Sequence, residues 1–462
     1  MAVGGLWYAP VPTPSWVTGN ELLVDVRGGP GHLLVGVGVC AIGLVLLTWA
    51  WWDLRVAAAD DATGVRTVRI AALTWSLPLL AAPPLFSGDG WSYVATGFLT
   101  GRGLSPYTYG PGLLPQPLRS GVNARWMDTP SPYGPLALGW GGAWSHLTSD
   151  PWILLVAYRL FALLGLALLA WAAPRLAVRS GVHPGTASWL AVASPFVLAH
   201  GIGGLHNDVV VAGLGAAALA ATGRRHWVLG AGLVGAAAAV KLPGGLIGVG
   251  VVLLSLAPAA GLAARVRRLL EVVAVAAFTL LAAGWVTGVG TGWARALSVA
   301  TAVPSRLSLC QDLGMLIGSL PGAHASTVVP IVQDVAVAAM ALAAVALALF
   351  FPTGRESRVL VAVAVLMFGV TALSPAMHYW YFLWCLPLLG CVALSRRWRT
   401  ALVAEIAVFG LTAVVDPSLH LPAAYGLTRW ALLLVPFAAV AAVRASEMDV
   451  GRPSARPVTP RR

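Results

Sequence analysis

Long apolar segments recur along almost the whole chain, and this pattern constrains the fold more than any other feature of the sequence. Only 10% of the 462 residues are charged, whereas soluble domains carry about 25%. A backbone inside a bilayer must satisfy its own hydrogen bonds, so such segments are expected to form helices. The thirteen candidate spans lie near 31–52, 70–86, 152–173, 185–202, 208–222, 226–241, 243–260, 269–289, 328–351, 358–374, 379–394, 400–415 and 427–443. The sequence therefore predicts an all-α polytopic membrane protein, a bundle of about 13 transmembrane helices forming a single domain, residues 1–443.

The basic residues predict how these spans are oriented. Twenty of the 29 Lys and Arg residues fall in links on one side of the predicted membrane, eight fall on the other side, and Arg159 lies inside a span. The positive-inside rule places the first side in the cytoplasm. The net charge of +12 is thus a topology signal and not a sign of nucleic-acid binding. The basic tail, residues 444–462, is expected to be disordered at the cytoplasmic surface.

Two long loops face the outside in this topology, residues 87–151 and residues 290–327. The first is rich in aromatic residues, prolines and glycines and also contains aspartates, and acids beside aromatics near a bilayer are typical of a sugar site. Its apolar segment Gly134–Leu147 is interpreted as an interfacial or re-entrant piece, because a crossing there would reverse the charge bias of every later link. We therefore expect a large extracytoplasmic loop that carries the chemistry.

Asp89 and Asp128 are the candidate acids of the first loop. Asp89 follows an apolar span and precedes Trp91 and Tyr93; it could act as a general base towards a sugar hydroxyl or only cap a helix, and the spacing leaves both open. Asp128 and Tyr133 lie in a run with three prolines, which would stiffen the loop. A structural turn is the simpler interpretation for the prolines themselves.

Polar residues at span ends form the second group of candidates. His206, Asn207 and Asp208 begin a short apolar helix, whose free N–H groups could face a phosphate. One such residue would suffice as a cap, so three in a row favour function. Lys241, the only lysine, precedes a Pro-Gly-Gly break. It could line a cavity or snorkel to the membrane surface.

Arg306 and His378 complete the set of candidates on the outer side. A guanidinium can bind two phosphate oxygens at once, although lipid headgroups would also attract Arg306. An aromatic belt at the membrane surface explains Tyr379 and its neighbours but not His378. The chain contains no phosphate-binding glycine loop, dinucleotide fingerprint or metal-ligand run. We therefore expect a donor already in the membrane, no cofactor and no obligatory metal.

Five short motifs in a fixed order carry a resemblance to a known family. They are Ser87–Tyr93, Gly103–Tyr107, Thr129–Leu136, His206–Asp208 and Lys241–Pro243. In this order they resemble the actinobacterial polyprenol-phosphate-mannose-dependent α-1,6-mannosyltransferases. The resemblance implies a GT-C type membrane glycosyltransferase with a catalytic aspartate in the first outer loop, here Asp89. It also implies elongation of the α-1,6-mannan backbone of lipomannan and lipoarabinomannan. Gly90 and Trp91 depart from the expected branched residue and tyrosine, which bears on how the acceptor fits.

The resulting hypothesis is an inverting transfer of mannose from polyprenyl-phosphate-mannose to a mannan glycolipid, at the outer face of the plasma membrane. Asp89 is the expected base. The residues expected to bind the donor phosphate are Arg306, Lys241, His206 and Asn207. The residues expected to bind the acceptor or sugar are Asp128, Tyr133, Trp91, Tyr93, Asp208, His378 and Tyr379. Two alternatives stay open: a transporter or flippase of polyprenyl-linked sugars, and a GT-C transferase that uses another sugar.

Overall fold

The computed structural model describes residues 1–29, 31–295 and 307–415, and the regular structure within these ranges is helical. Three sequence-based expectations lie outside the described residues: the role of Arg306, the span 427–443 and the tail 444–462. The α-helices, numbered in chain order, are α1 Ala2–Tyr8, α2 Glu21–Gly28, α3 His32–Ala58, α4 Gly64–Ser76, α5 Asp89–Gly101, α6 Pro135–Ser145, α7 Pro151–Arg179, α8 Pro184–Ala191, α9 Asp208–Ala221, α10 Trp227–Val240, α11 Gly248–Ser255, α12 Leu262–Val286, α13 Leu309–Gly318, α14 Ala325–Phe350, α15 Glu356–Ala372, α16 Leu386–Leu389 and α17 Arg396–Leu411.

Several helices have the length and composition of membrane spans. Among the described residues, α3, α7, α12 and α14 are long and apolar enough to cross a bilayer. A π-helix, Val197–Gly203, and α9 would form a fifth span if the two are counted together, although they meet at a bend of 116°. The structure thus supports an all-helical membrane protein with several spans, and the total of thirteen stays a prediction.

The helix predicted at 185–202 is wrong as a continuous element. Helix α8 ends at Ala191, and the π-helix begins only at Val197. Pro195 lies between them, and proline cannot continue a preceding helix because it lacks an N–H group and its ring clashes with the previous turn. The predicted span is therefore interrupted between Ala191 and Val197, ahead of the predicted site residues at 206–208.

The predicted first outer loop, residues 87–151, contains two α-helices. These are α5 and α6, and almost all of α5 is buried, from Gly90 to Leu99. Helix α6 has 11 residues, about 16 Å of helix, which is too short to cross a bilayer and is consistent with an interfacial or re-entrant piece. The hydroxyl of Tyr158 in α7 donates to Ala137 O in α6 at 3.0 Å, so the loop is fixed onto a long span.

Helices α7 and α9 pack closely at the centre of the fold, because glycines face each other there. A β-carbon added at Gly213 would lie 2.1 Å from Gly165 O, and one added at Gly165 would lie 2.6 Å from Val210 Cα. Small residues of this kind allow backbones in a membrane protein to approach each other. The contact fixes the start of α9, and with it Asp208, relative to the long span α7.

Candidate active site

The structure brings together candidate residues from four separate segments. Asp89 begins α5, residues 206–208 lead into α9, Lys241 follows α10, and His378 precedes a 3₁₀ turn, Tyr379–Trp384. They lie close enough that His206, His378 and Lys241 all act electrostatically on Asp89. We call Asp89, His206, Asp208, Lys241 and His378 the polar cluster.

Asp89 faces a histidine rather than capping its helix. The cap position of α5 is Gly88, and Oδ2 of Asp89 lies 3.5 Å from Nδ1 of His206. This distance is at the outer limit of a hydrogen bond, so the contact is chiefly electrostatic. His206 is fully buried, whereas 17% of the Asp89 side chain is exposed. Asp89 is therefore a carboxylate held from one side and accessible from the other.

Two opposing effects set the pKa of Asp89. Burial raises it, because a carboxylate loses hydration away from water. His206 in contact and the more distant His378 and Lys241 together lower it by more, and the pKa lies below its ordinary value. The carboxyl group of Asp89 is thus ionised at neutral pH, as a general base must be.

Lys241 is held inside the protein by an ion pair and an aromatic ring. Its Nζ donates to Asp208 Oδ1 at 3.0 Å and to Oδ2 at 3.2 Å, and it lies 3.9 Å from the ring centroid of Tyr381. Asp208 is fully buried and Lys241 is 11% exposed. An ammonium over an aromatic face is favourable, and here it also completes the neutralisation of a buried carboxylate. The snorkelling interpretation of Lys241 does not fit this geometry.

A tryptophan between two histidines orients the polar cluster. The ring of Trp380 stacks on His206 at 3.7 Å with an interplanar angle of 10°, and on His378 at 4.3 Å with an angle of 7°. Burial lowers the pKa of His378 to about 4, so this imidazole is neutral at neutral pH. Sequence reasoning missed Trp380 and Tyr381, because it assigned the aromatic run after His378 to a membrane-surface belt.

Two tyrosines of the first loop lie beside the polar cluster. Tyr93 and Tyr133 meet edge to face, with ring centroids 4.7 Å apart, and the hydroxyl of Tyr107 donates to Tyr133 O at 2.8 Å. Burial raises the pKa of both phenols well above the ordinary value, and the negative charge of Asp89 adds to this. Both hydroxyl groups therefore stay protonated at neutral pH.

A small, shallow cavity lies next to Tyr133 and is partly open to solvent. Ser92 and Thr96 of α5 line one side. They lie three and seven residues after Asp89, hence on the same face of the helix. Trp126 and the proline-rich segment 129–133 form much of the remaining wall. The carboxylate and the cavity therefore share one surface of α5.

Other candidates lie outside the polar cluster. Trp91 is buried, donates through Nε1 to Pro10 O at 2.8 Å and packs against Trp152. Asp128 is exposed, in a turn whose Met127 O accepts a hydrogen bond from the backbone of residue 112. Tyr379 is buried and its ring lies 5.8 Å from that of Phe409. Their binding roles stay predictions.

Asn207 lies at the edge of the cluster. It occupies the cap position of α9, yet its side chain makes no capping hydrogen bond. It is buried, and its Nδ2 has no hydrogen-bond partner within the described part of the chain. A simple capping role therefore does not account for this residue. No group of three or more His, Cys, Asp and Glu side chains is placed to hold a metal ion in residues 1–29, 31–295 and 307–415.

Comparison with known proteins supplies the family. Residues 1–258 match the family described as "Alpha-(1->6)-mannopyranosyltransferase, N-terminal domain", and residues 304–446 match "MptB C-terminal domain". The chain is 33% identical over 420 residues to α-(1→6)-mannopyranosyltransferase A of Mycobacterium tuberculosis, an alignment that covers 88% of this chain and 79% of that protein. No solved structure matches.

Two further relatives give the same result. A probable α-(1→6)-mannopyranosyltransferase of Mycolicibacterium smegmatis is 30% identical, with 90% of this chain and 81% of that protein covered. The α-(1→6)-mannopyranosyltransferase B of Corynebacterium glutamicum is 28% identical, with 87% and 73% covered. The resemblance inferred from the five motifs is confirmed, and the chain belongs to the α-(1→6)-mannopyranosyltransferase family.

Proposed function

We propose that this mannosyltransferase moves mannose from polyprenyl-phosphate-mannose to an α-1,6-mannan glycolipid, with inversion, at the outer face of the plasma membrane. One observation carries the proposal. Asp89 is ionised, is partly exposed, and stands against His206 at the edge of a polar cluster assembled from four segments. Family membership supplies the sugar and favours transfer over transport.

In the proposed reaction, Asp89 accepts the proton of the acceptor hydroxyl. The oxygen of that hydroxyl attacks the anomeric carbon of the donor, and the bond from this carbon to the phosphate oxygen breaks. The electron pair leaves with the polyprenyl phosphate. A β-linked donor then gives an α-linked product. A positioned base contributes roughly 10²- to 10⁴-fold to such a step.

The donor phosphate would lie against Lys241 and the start of α9. Nζ of Lys241 already makes two hydrogen bonds to Asp208, so a phosphate would have to share the ammonium with that carboxylate. The unsatisfied Nδ2 of Asn207 is a second donor at the same corner. Arg306 belongs to the proposal from its sequence position. Stabilising the phosphate as it leaves is the usual role of such donors.

The acceptor would lie along the face of α5 that carries Asp89 and borders the cavity beside Tyr133. Tyr93 and Tyr133 would position sugar hydroxyls through their protonated phenols, and His378 and Asp208 would act from the opposite side. Asp128 would contact a more distant sugar at the loop surface. Trp91 and Tyr379 are buried, so any contribution to acceptor binding would come through the walls that they support.

The membrane arrangement is part of the proposal. A bundle of about 13 helices of the GT-C type would place the polar cluster on the outer side, because the arginine-rich links face the cytoplasm by the positive-inside rule. The lipid-linked donor would then reach the cluster from within the bilayer.

The test is Asp89→Asn, measured in membranes supplied with radiolabelled polyprenyl-phosphate-mannose and a short α-1,6-mannoside. We expect transfer to fall at least ~100-fold while donor binding is retained. Asp53→Asn is the matched control, because Asp53 is 66% exposed in a predicted cytoplasmic link. If Asp89→Asn transfers mannose at a rate within about twofold of that of the unmodified protein, Asp89 is not the general base. Parallel assays with polyprenyl-phosphate arabinose and glucose test whether the protein also transfers another sugar.

A further inference from the structure

A buried arginine binds the backbone beneath the polar cluster. Arg159 lies in α7 and is fully buried. Its Nη1 donates to Gly203 O at 3.0 Å, and its Nη2 donates to Ala82 O and Pro83 O, each at 3.2 Å. All three acceptors are backbone carbonyl oxygens. A buried guanidinium needs hydrogen-bond partners for its donors, and here two chain segments supply them for both Nη atoms, while Nε has none within the described residues.

These two segments are the ones that carry Asp89 and His206. Pro83 lies six residues before Asp89, and Gly203 lies three residues before His206. The segments are also joined directly, since Leu85 N donates to Gly203 O at 2.9 Å. One carbonyl, that of Gly203, is therefore shared between the guanidinium and the neighbouring segment.

Both segments are bent unusually just after the contact with Arg159. Phe86 has a φ of 65° and Leu205 a φ of 58°, a region that residues other than glycine rarely adopt. Such a conformation persists only where the surrounding structure enforces it. The segments also pack closely: a β-carbon added at Gly90 would lie 2.6 Å from Pro84 Cγ and 3.0 Å from Leu205 Cδ2.

We propose that Arg159 is a positioning residue, which holds the start of α5 against the turn before α9 and so fixes Asp89 beside His206. The inference rests on the proposed function for its kinetic consequences, but the contact itself is structural. A lysine would not replace it, because an ammonium is a point charge and lacks the planar fork that reaches both segments at once.

Loss of the hydrogen bonds that Arg159 donates to the two segments should change the pKa of Asp89. The groups that act on Asp89 are the nearby His206, His378 and Lys241, which lower its pKa, while burial raises it. Asp208, Tyr93 and Tyr133 also interact electrostatically with Asp89. If the segments separate, the contact with His206 weakens while burial remains, so the pKa of Asp89 rises. A required base is lost as pH falls through its pKa, so the acidic limb of the rate profile moves to higher pH.

The matched control is Arg179, at the other end of α7. It donates to three backbone carbonyls around the end of α9, those of Leu219, Ala220 and Thr222, and it pairs with Glu356. Both arginines thus join α7 to neighbouring segments through backbone carbonyls, but Arg179 does so far from the residues that carry Asp89 and His206. The two arginines are 20 residues apart along one helix, roughly 30 Å, so loss of Arg179 should cost stability without reaching Asp89.

The experiment compares Arg159→Lys and Arg159→Met with Arg179→Lys and Arg179→Met in membranes. For Arg159→Lys we expect kcat to fall by roughly 10- to 100-fold, since a misplacement of about 1 Å can cost that much. The KM for the donor should change by less than about threefold. The acidic limb should move up by on the order of one pH unit. The Arg179 variants should lose protein or thermal stability but keep the profile.

Hydrogen exchange gives a readout that does not depend on the reaction. Faster exchange of the amides at 85–91 and 204–210 in Arg159→Lys, but not in Arg179→Lys, is expected. This result would stand even if the protein used another donor, so failure of the proposed reaction and failure of the positioning role can be told apart. An unchanged pH profile together with unchanged exchange in Arg159→Lys would overturn the proposal. If Arg159→Met does not accumulate, the lysine variant decides.

Discussion

Removing the ammonium of Lys241 should destabilise the protein more than removing any surface charge. Asp208 is fully buried and receives two hydrogen bonds from Nζ. Lys241→Met would leave that carboxylate without its cation, and breaking a buried pair from one side typically costs about 3–5 kcal/mol. Asp208→Asn should cost less, about 1–3 kcal/mol, because the ammonium keeps its place over Tyr381 and is partly exposed.

The double variant Lys241→Met/Asp208→Leu separates stability from function. Replacing both members of a buried pair by apolar side chains is often close to neutral, so we expect the double variant to recover most of the lost free energy of unfolding. If Lys241 also binds the donor phosphate, transfer should stay low and donor binding should stay weak despite that recovery. Full activity in the stable double variant would exclude Lys241 from the phosphate site.

The assay is unfolding of the purified protein in detergent, followed by tryptophan fluorescence, with transfer measured on the same preparations. Arg267→Met is the control, because Arg267 pairs with Glu271 at 3.7 Å while 73% exposed. Exposed pairs of this kind contribute about 0.3–0.5 kcal/mol. Equal costs for Lys241→Met and Arg267→Met, or a double variant no more stable than Lys241→Met alone, would refute the assignment of a buried pair.

Two further substitutions test the packing around the cluster. Gly90→Ala should lower transfer at least ~10-fold, because its β-carbon would meet Pro84 Cγ at 2.6 Å. The control Gly38→Ala has open space around the new β-carbon and should leave the rate unchanged. Equal transfer rates for the two variants would show that close packing at Gly90 is not required. Trp380→Ala should lower transfer at least ~10-fold by freeing the two histidines that stack on it, while Trp398→Ala, 69% exposed, should leave the rate unchanged. Purified amounts of each variant normalise the rates, and a fully active Trp380→Ala would show that the stack is dispensable.

The charge and hydropathy patterns of the sequence predicted the site better than they predicted the number of helices. The distribution of arginines placed Asp89, His206 and Lys241 on one side of the membrane, and the structure brings these residues together. That inference was possible because ionised groups in an apolar environment need partners or a cavity. Because this chain contains few ionised groups, each of them has few possible partners.

The sequence pattern was less informative about the direction in which a side chain points from its helix. Trp91 was expected to bind sugar beside Asp89, but the structure packs it against Trp152. Residues two apart on a helix point to different sides. Because α5 begins at Asp89, Ser92 and Tyr93 lie on the same face of the helix as Asp89, and Trp91 does not.

Aromatic runs are ambiguous for a different reason. A belt at the membrane surface and a stacked cluster around histidines have the same composition, so Trp380 and Tyr381 could not be separated from the belt by sequence alone. Their partners decide the role. Trp380 lies between His206 and His378. His206 comes from a distant part of the chain, whereas His378 lies two residues before Trp380.

The charge balance of the polar cluster bears on how it would hold an anionic donor. Within the described residues, the charged members are the carboxylates of Asp89 and Asp208 and the ammonium of Lys241, while His378 is neutral at neutral pH. These two carboxylates and one ammonium sum to a negative charge, which would repel a phosphate at short range. Binding of the proposed donor thus requires a second positive charge at the same corner. The sequence offers Arg306 for this role, so Arg306→Met should weaken donor binding at least ~10-fold, and unchanged binding of the donor by this variant would exclude Arg306 from the phosphate site.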